Sequence, residues 1–580
     1  MAATRRQMFG ALLSCLLFLG FAAPSSASWT SDGSAVCTTT GWHGEPELIA
    51  DGSGGVIITW SDSRIDSTYD IYAQRLSSTG VPLWPADGVV VCNAPYDQIR
   101  PLIISDGNGG SVIVWWDTRN TGANANVSGS ETDIYAQRID ANGAPQWGVN
   151  GVPVCAVDGR QWFPSAIADG NGGIIVTWAD NRSEEGDDVY AQWLNGSGDP
   201  QWTVGGVILA EPGVQSIPTI VSDGASGAII SWYDFRNGIA DIYAQRVSEA
   251  GAMMWTTNGG AVCTATGSQS SPWTVADNGG GAIIVWTDFR SPSNGDIYAQ
   301  RLNAAGAPQW TPDGIAVCSA SGNQSQCVAT SDGAGGATVA WVDPRSYSLT
   351  RQDVYAQRLN PSGAAMWATN GVVVCASAQI QFELSVTNDG NGGAVVTWAD
   401  ARDDVNGYVY DIYAQRINAA GSSVWSSNGV AVCKAPDGQY EPRIVADGAG
   451  GVVVTWQDSR SHESSDVYAL RLGLSGQLPS EVGSTPSISP LRLSPNTPNP
   501  FSQTTSLDLY SAKAFDGAMD VYDVAGRRVL HAPLSVSTGG WQSIRFDGRD
   551  AHGHELASGV YFLRVSGSGL SSTRKVVIQR

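Results

Sequence analysis

Apolar and polar positions along this chain alternate in short segments that predict β-strands, and the segments recur in one order. In the first complete unit, Glu47–Ala50 leads into a glycine-rich turn, and Val56–Trp60 is an almost continuous apolar run, as in a strand covered on both faces. Asp70–Leu76 alternates, and Gly88–Cys92 follows as a fourth strand. Four antiparallel strands per unit describe a propeller blade, so we predict an all-β protein.

The repeat is marked by the motif Trp-x-Asp-x-Arg, which occurs eight times at intervals of 54 to 63 residues. A unit of that length is too small to bury its own apolar face, so neighbouring units must stack. The motif begins at Trp60, Trp115, Trp178, Trp232, Trp286, Trp341, Trp398 and Trp456. We therefore expect eight blades.

The two ends of the array indicate a closed ring. Seven repeats carry Gly-x-x-x-Trp before the fourth strand, whereas the eighth reaches Gly476 without that Trp or a fourth strand. The segment Trp29–Cys37 has the pattern of Trp84–Cys92. An N-terminal strand that completes the last blade requires the first and last repeats to touch. We predict an eight-bladed β-propeller over residues 28–476, closed by its N-terminal strand.

The Gly-x-x-x-Trp element resembles the tryptophan-docking motif of eight-bladed quinoprotein-type propellers. It recurs at Trp84, Trp147, Trp202, Trp255, Trp310, Trp367 and Trp425. The resemblance implies the number of blades and tryptophans wedged between them. It does not imply quinone chemistry, because those dehydrogenases carry an adjacent Cys-Cys pair over the cofactor and this sequence has none. We expect no cofactor.

The N-terminus has the features of a secretory signal. Arg5 and Arg6 precede an apolar run over Met8–Ala23, and Ser25–Ala27 is a small-x-small cleavage pattern. We predict a signal peptide over residues 1–27 and a secreted or surface-located protein. No other stretch is long and apolar enough for a membrane span.

Composition and charge agree with an extracellular β-protein. The chain has 69 Gly among 580 residues, 15% charged residues and a net charge of −22. Such an acidic surface repels phosphate backbones, so we expect no nucleic-acid partner. Seven cysteines share one repeat-equivalent position, too far apart for bridges, and Cys318 with Cys327 is the one plausible disulfide, which the sequence leaves open.

The repeated polar residues favour a structural role. Asp62 and Arg64 follow the first Trp of the motif, and Asp70 and Tyr72 open the third strand. An Asp there can accept backbone N–H bonds and pair with the Arg, which pins the hairpin between the two strands. Eight copies of one pair argue against a catalytic site, which needs a unique set of groups.

Other candidate chemistry is weaker. The Asp-Gly-x-Gly-Gly turns offer one carboxylate each, too few for calcium, and His43 and His462 are the only histidines of the array. The acidic run 184–188 could hold a carboxylate pair for glycosidase chemistry, although a solvated loop is the simpler interpretation. We assign no catalytic, cofactor-binding or metal residue.

Loop lengths indicate where a ligand binds. The connection from the second to the third strand varies: 13 residues separate Arg119 from Asp133, and 4 separate Arg236 from Asp241. Loops that vary in length on one face of a rigid scaffold are typical of binding sites. We expect the ligand on that face, near the longest loop, Asn120–Thr132.

Beyond the array, residues 477–490 form a predicted linker, and residues 491–580 show the short strands of a small Ig-like β-sandwich. The motifs of that segment are Ser494–Phe501, Val521–Val529, Phe546–Asp550, Ala557–Phe562 and Thr573–Arg580. They resemble the C-terminal sorting domains of the type IX secretion system and the related Ig-like domain of flagellar hook-capping proteins. The resemblance implies a bacterial protein that the secretion machinery exports, with the domain cleaved or retained at the surface.

These features predict a secreted or surface-displayed repeat scaffold that is not an enzyme and that binds an unidentified glycan or protein. Two alternatives stay open. One is an extracellular hydrolase acting on polysaccharide, with its site at the mouth of the propeller. The other is a structural component of a surface layer.

Overall fold

The computed structural model describes residues 29–580 except 66, 121–130, 184–185, 211–212, 292–293, 405–408, 462–463, 477–490, 494–495, 497–499, 512–513, 525, 537–539 and 568–569. The predicted signal peptide (1–27), the predicted linker (477–490) and most of the longest loop therefore lie outside the described residues. The chain divides into two compact units, Met1–Ser480 and Glu481–Arg580.

Among its described residues, the first unit contains eight four-stranded antiparallel sheets and one short helix. Its first strands are β1 (Ser34–Cys37), β2 (His43–Ala50), β3 (Val56–Asp62), β4 (Asp70–Leu76), β5 (Val89–Cys92), β6 (Gln98–Ser105), β7 (Ser111–Asp117), β8 (Asp133–Ile139), β9 (Val152–Cys155), β10 (Gln161–Ala168), β11 (Ile174–Asp180), β12 (Asp188–Leu194), β13 (Val207–Ala210), β14 (Gln215–Ser222), β15 (Ala228–Asp234), β16 (Asp241–Val247) and β17 (Gly260–Cys263). The remaining elements are β18 (Gln269–Ala276), β19 (Ala282–Ser291), β20 (Asn294–Leu302), β21 (Ile315–Cys318), β22 (Ser325–Ser331), β23 (Ala337–Asp343), α1 (Tyr347–Thr350), β24 (Asp353–Leu359), β25 (Val372–Cys375), β26 (Gln381–Asn388), β27 (Ala394–Asp400), β28 (Asp411–Ile417), β29 (Val430–Cys433), β30 (Gln439–Ala446), β31 (Gly451–Asp458) and β32 (Asp466–Gly473).

Sheets 1 to 7 each consist of four consecutive strands, from β2–β5 for sheet 1 to β26–β29 for sheet 7. Sheet 8 contains β30, β31 and β32, and its fourth strand is β1 from the N-terminal end of the array. Ser34 of β1 pairs with Ala469 of β32 in antiparallel register. The pairing predicted for the segment Trp29–Cys37 is therefore present, with β1 as the outer strand of the last sheet.

Burial explains why these segments are strands. All seven residues of β3 are buried, as predicted from its apolar run, and six of the seven residues of β4 are buried. The strand β4 has the predicted bounds, whereas β2 begins at His43, four residues before the predicted start at Glu47. The difference comes from a β-bulge that lets polar residues belong to the strand.

In each sheet the Trp-x-Asp-x-Arg motif forms hydrogen bonds and an ion pair around a buried carboxylate, in the structural role predicted from the sequence. In sheet 1, Trp60 Nε1 donates to Asp62 Oδ2 at 2.7 Å, and the backbone N–H of Arg64 donates to Asp62 Oδ1 at 2.9 Å. The Arg64 guanidinium pairs with the same carboxylate and lies 3.8 Å from the centre of the Tyr72 ring. A buried carboxylate is thus fully engaged by an indole, a backbone amide and a cation.

The same arginine joins neighbouring sheets. Arg64 Nη2 donates to Cys37 Sγ at 3.0 Å, in the outer strand of sheet 8, and to the Asp87 carbonyl at 2.9 Å, in sheet 1. The contact between arginine and the preceding sheet's cysteine recurs at Arg119–Cys92, Arg182–Cys155, Arg290–Cys263, Arg345–Cys318, Arg402–Cys375 and Arg460–Cys433. The repeated cysteine is therefore an acceptor at the junction between sheets.

All eight described cysteines are free and buried, Cys318 and Cys327 included. Burial raises the pKa of the Cys318 and Cys327 thiols to about 12. Such thiols stay protonated near neutral pH and are poor nucleophiles. The disulfide that the sequence left open is not formed in this structure.

The tryptophans of the Gly-x-x-x-Trp element dock against the next sheet. Trp84 Nε1 donates to the Ala141 carbonyl at 3.1 Å, and a Cβ at Gly143 would lie 3.0 Å from the Trp84 ring, at a φ of +85°. Glycine is required there for both reasons. Trp29 makes the equivalent bond from sheet 8 to the Ser78 carbonyl of sheet 1, at 3.0 Å. The packing implied by the quinoprotein resemblance is present.

The second unit contains two sheets around one core. Its strands are β33 (Leu491–Leu493), β34 (Thr505–Ser511), β35 (Phe515–Asp523), β36 (Arg528–Val536), β37 (Gly540–Phe546), β38 (Gly559–Gly567) and β39 (Leu570–Ile578). One sheet has the order β33-β34-β37 and the other β36-β35-β38-β39. Side chains such as Leu509, Val521, Leu563 and Val576 from both sheets form the core. Within the described residues, no helix has the length and apolar character to cross a membrane.

Removing one buried carboxylate of the repeated motif should destabilise the protein strongly. Asp234 accepts from Trp232 Nε1 and Arg236 Nε, each at 2.9 Å, so Asp234→Ala leaves a buried indole N–H and a guanidinium unpaired. We expect the free energy of unfolding to fall by about 3–5 kcal/mol, measured by denaturant titration. The exposed Asp199→Ala is the control, and an equal effect of both variants would contradict the assigned role.

His43 makes the contact between sheets 1 and 8 dependent on pH. Its Nδ1 donates to the Ser465 carbonyl at 2.8 Å, and Asp62 and Asp466 lie 3.5 and 3.7 Å from its ring nitrogens. Burial lowers the pKa of His43, but hydrogen bonds to Asp466 and Cys37 and the charge of Asp62 outweigh that effect and raise it to about 10. The other seven sheets have Gln at this position.

We therefore expect His43→Gln to remove an alkaline loss of stability. A raised pKa stabilises the fold below the unfolded value of 6.5, and this stabilisation is lost as the pH rises through about 10. Between pH 7 and pH 10 the free energy of unfolding of the wild type should fall more than that of the variant, by up to roughly 1.4 kcal/mol per pH unit, as measured by denaturant titration at each pH. Parallel pH profiles would show that His43 is neutral in the folded protein.

Candidate functional site

A β-bulge interrupts the first strand of every sheet at the same place. In sheet 1 the register shifts between Gly44 and Glu47, so that two residues face one residue of β3. The first residue of each bulge has a left-handed backbone with φ between +48° and +55°. These residues are Glu45, Arg100, Phe163, Ile217, Ser271, Gln326, Glu383 and Glu441. A non-glycine residue in that conformation costs about 1–2 kcal/mol, and such strain concentrates at functional sites.

The bulged position differs from the rest of the repeat in chemistry. The Asp and Arg of the repeated motif are the same in all eight units, whereas this position carries three glutamates, one arginine, and aromatic, aliphatic and uncharged polar side chains. The glutamates belong to three consecutive sheets near the seam, which is the junction between sheet 8 and sheet 1. They are Glu383 in sheet 7, Glu441 in sheet 8 and Glu45 in sheet 1. The bulged position is therefore asymmetric around the array, and sequence reasoning missed it.

Each glutamate reaches the backbone of the next sheet. Glu45 Oε2 accepts from the Arg100 backbone N–H and from Ser61 Oγ, both at 2.9 Å. Glu383 Oε2 accepts from the Glu441 backbone N–H at 2.7 Å. These bonds satisfy donors that the bulges free from strand pairing, and they fix the direction of the carboxylates.

The pKa values of Glu383 and Glu441 lie above the ordinary value of a glutamate carboxyl. Burial raises the pKa of Glu441, Arg443 opposes this, and the charges of Glu45 and Glu383 raise it further. Burial also raises the pKa of Glu383. Within the described part of the chain, Glu441 Oε2 is buried without a hydrogen-bond partner. An acceptor of this kind is suited to a donor that a ligand supplies.

Two cavities lie among the first strands and share one ion pair, in which Glu47 Oε1 is 2.6 Å from Arg443 Nε. The first has a volume of about 270 Å³ and is lined by Glu45, Glu47, Arg100, Pro101, Leu102, Trp116, Phe163, Pro164, Glu441 and Arg443. The second has a volume of about 440 Å³ and is lined by Glu47, Leu48, Trp273, Val328, Leu384, Ser385, Val386, Arg443 and Ile444. Strands from sheets 1, 5, 6, 7 and 8 meet in the second cavity, so the first strands converge on one centre.

Aromatic side chains supply flat apolar surface to these cavities. Trp116 and Phe163 pack edge to face with ring centres 5.7 Å apart in the first cavity. In the second, Trp273 is 41% exposed and its Nε1 donates to the Ala329 carbonyl at 2.8 Å, which fixes the ring. Fixed aromatic faces beside carboxylates can bind a molecule that is apolar on one side and rich in hydroxyls on its edge. A carboxyl group beside such a ligand can also act in proton transfer.

A second group of titratable side chains lies in sheet 7. Lys434 Nζ is 2.7 Å from Asp403 Oδ2, and Tyr413 donates to the same oxygen at 3.2 Å. Burial and the charge of Asp403 raise the pKa of Asp411 to about 7. Sheets 2 and 4 have an asparagine where sheet 7 has Asp403, and that asparagine donates to the equivalent aspartate. Asp403 and Lys434 therefore form a local variant of a structural contact.

The residues weighed from the sequence do not assemble into a site. Asp62, Arg64 and their repeats are engaged within and between sheets, as described above. Cys37, His43 and Asp62 place three possible metal-ligand atoms within 4.8 Å of one another, but the Arg64 guanidinium already contacts the cysteine and the aspartate. The same contact recurs in sheets without the histidine, which favours a structural role.

The remaining sequence candidates lie at the edge of what the structure describes. In the acidic run 184–188, residues 184 and 185 are outside the described residues, and Asp187 is 3.5 Å from Arg160 Nη2. Residues 121–130 of the longest loop are also outside them. The prediction that the ligand binds near that loop stays a prediction.

Comparisons with known proteins concern the two units separately. The profile of the secretion system C-terminal sorting domain matches residues 497–579. No curated protein matches the chain. Among solved structures, an ulvan lyase from a family of polysaccharide lyases is similar at a TM-score of 0.41 and 10% identity, over 75% of this chain and 94% of that chain.

Two further solved structures are similar over about half of this chain. An α-L-arabinanase of Penicillium chrysogenum matches at a TM-score of 0.29 and 12% identity, over 53% of this chain and 93% of its own. An α-L-arabinofuranosidase of Fusarium graminearum matches at a TM-score of 0.31 and 9% identity, over 54% of this chain and 93% of its own. These neighbours are enzymes, which contradicts the prediction that the chain is not an enzyme, and that prediction is withdrawn.

The sorting domain agrees with the motifs read from the sequence, from the Val521–Val529 segment to the closing strand β39. It accounts for a secreted or cell-surface location and for the type IX secretion machinery as a partner. Residues 497–579 thus belong to the family of secretion system C-terminal sorting domains, and the protein is exported through that system.

Proposed function

We propose that the exported protein is a glycan-binding, closed eight-bladed propeller whose ligand enters the central channel between the first strands. The propeller occupies residues 28–476, after a signal peptide over 1–27. The linker 477–490 joins it to the Ig-like domain 491–580, which directs secretion. Contacts between sheets 8 and 1 support the closed ring: β1 pairs with β32, Trp29 bonds the Ser78 carbonyl, and Arg64 bonds Cys37.

The observation that carries the proposal is the asymmetric set of side chains at the eight bulges. A scaffold that needed these positions for packing alone would repeat one residue there, as it does for the Asp and Arg of the motif. Instead the strained position varies, and the buried acceptor Glu441 Oε2 points to a missing donor. Glycan hydroxyls are such donors, and the ring faces of sugars fit Trp273 and Trp116.

The position of the bulges agrees with the loop argument. Gly44, beside the bulge of sheet 1, pairs with Ser61 near the end of β3, where the connection to β4 begins. The bulges therefore lie toward the face that carries the connections of variable length. A glycan bound at this mouth would contact both the glutamates and those loops.

A second candidate function is cleavage of the bound glycan. Glu383 and Glu441 both have raised pKa values, and the charge of Glu45 contributes to that of Glu441. Two carboxyl groups at one site are what glycosidic-bond hydrolysis uses, with one group as acid and the other as base or nucleophile. Release of reducing ends from the glycan that binds would establish this activity.

Glu441→Gln should weaken glycan binding at least tenfold, because it removes a charge-assisted hydrogen bond worth about 1.5–3 kcal/mol. Affinity would be measured by calorimetry with the best glycan from an array screen of the purified protein. If that glycan is cleaved, Glu383→Gln and Glu441→Gln should also abolish turnover. Glu249→Gln, which removes an exposed carboxylate outside the cavities, is the matched control. Unchanged affinity in Glu441→Gln would exclude the channel mouth as the site.

A chain that ends at residue 476 should remain in the cell envelope of a host with type IX secretion, because it lacks the matched sorting domain. Immunoblots of cells, cell surface and culture medium would measure this. As the reciprocal test, residues 491–580 fused to an unrelated exported protein should bring that protein outside. Equal export of the truncated and full chains would show that the signal lies elsewhere.

A further inference from the structure

We infer that the ligand of this site is a neutral or amino-bearing glycan, and that the channel mouth discriminates against uronic acid and sulfated glycans. This inference rests on the proposed function and specifies its ligand class. It depends on how the charged groups around the two cavities are paired.

Carboxylates outnumber cations at the channel mouth, by which we mean the two cavities and the residues that line them. Glu45, Glu47 and Glu441 line the cavities, and Glu383 bonds the backbone of Glu441, whereas Arg100 and Arg443 are the two lining arginines. The chain as a whole has a net charge of −22. A cleft lined by one sign of charge repels ligands of that sign before they make contact, most strongly at low salt.

Both lining arginines are already engaged by glutamates. Arg443 Nε is 2.6 Å from Glu47 Oε1, and Glu47 provides the largest contribution to the raised pKa of Arg443. Arg100 Nε is 3.6 Å from Glu45 Oε1, and its guanidinium lies 4.9 Å from the centre of the Trp116 ring. These contacts reduce the positive charge that a carboxylate or sulfate of the ligand would meet, and Ser61 and the Arg100 backbone N–H hold Glu45 in place beside Arg100.

The one buried polar atom of the mouth that awaits a partner is an acceptor. Glu441 Oε2 has no hydrogen-bond partner within the described residues, so it needs an O–H or N–H donor. A sugar hydroxyl or an ammonium group supplies that donor, whereas an ionised acid group cannot. An ammonium group would also gain from the neighbouring carboxylates.

The second cavity favours the uncharged part of a sugar. Leu48, Val328, Leu384 and Val386 line it beside the exposed face of Trp273. Burying an ionised group among these side chains without a partner is costly, whereas the C–H face of a neutral sugar packs there without that penalty. The cavities adjoin at Glu47 and Arg443, so one oligosaccharide can reach both.

The test compares three soluble oligosaccharide sets of matched length: neutral hexose or pentose oligomers, oligomers of glucosamine, and oligogalacturonate. Calorimetry with the full mature chain at low and high salt gives the affinities. We expect the best neutral or glucosamine ligand to bind at least tenfold more tightly than oligogalacturonate, and the gap to narrow at high salt. Equal affinity for the classes, or a preference for oligogalacturonate, would overturn this inference and leave the proposed function intact.

Variants that release an arginine should reverse the preference. Glu47→Gln frees Arg443, and we expect it to raise the affinity for oligogalacturonate at least tenfold. Should Glu47→Gln fail to fold, Glu45→Gln frees Arg100 and serves the same purpose. Glu249→Gln changes the net charge equally and should leave the preference unchanged. A gain in Glu249→Gln equal to that in Glu47→Gln would overturn the role of the ion pair, and binding of no glycan at all would overturn the proposed function itself.

Discussion

The fold depends on one arginine per sheet. Arg64 and its repeats bind a buried aspartate of their own sheet and cover a tyrosine ring. In seven of the eight sheets the arginine also reaches the cysteine in the outer strand of the preceding sheet, and Arg236 is the exception because Ala210 stands there. Guanidinium suits this task, because it stays charged and presents several donors in a fixed plane. The same contact links sheet 8 to sheet 1, because Arg64 bonds Cys37. The two ends of the array are therefore joined by the same kind of contact as neighbouring sheets. Because these contacts hold neighbouring sheets together, residues elsewhere in the repeat, such as those at the bulges, can differ from sheet to sheet.

The parts of the fold that repeat could be predicted from the sequence, and the part that varies could not. The strand Asp70–Leu76 was predicted with its observed bounds, because alternation and burial act together there. The start of β2 was missed, because a bulge breaks the alternation that identifies a strand. A left-handed Glu45 has no local sequence signal, and six of the eight bulged residues precede a proline that could equally mark a turn. Aligning the repeats on the Gln two residues earlier would have exposed the variable position.

The repeated polar residues are not the residues of the proposed site. Eight copies of an Asp–Arg pair are structural, as the sequence indicated, and these repeated residues do not differ between sheets. The deviation lies one strand further in, at Glu383, Glu441 and Glu45, where three acids follow one another across the seam. Pairing between Glu47 and Arg443 then determines which charges a ligand meets. The proposed function therefore rests on the first strand of each sheet, where a left-handed residue directs the side chains of the bulge.

The pairing of β1 with β32 also constrains how the protein can fold. Ser34 pairs with Ala469, so completing the last sheet requires the two ends of the array to come together. Such a non-local contact raises the contact order and slows the final step. Until then β32 presents an unpaired edge, which is a surface on which another chain can add a strand. The vulnerable species of this protein is thus a nearly finished array that lacks one short strand, and its lifetime should govern the yield of soluble protein.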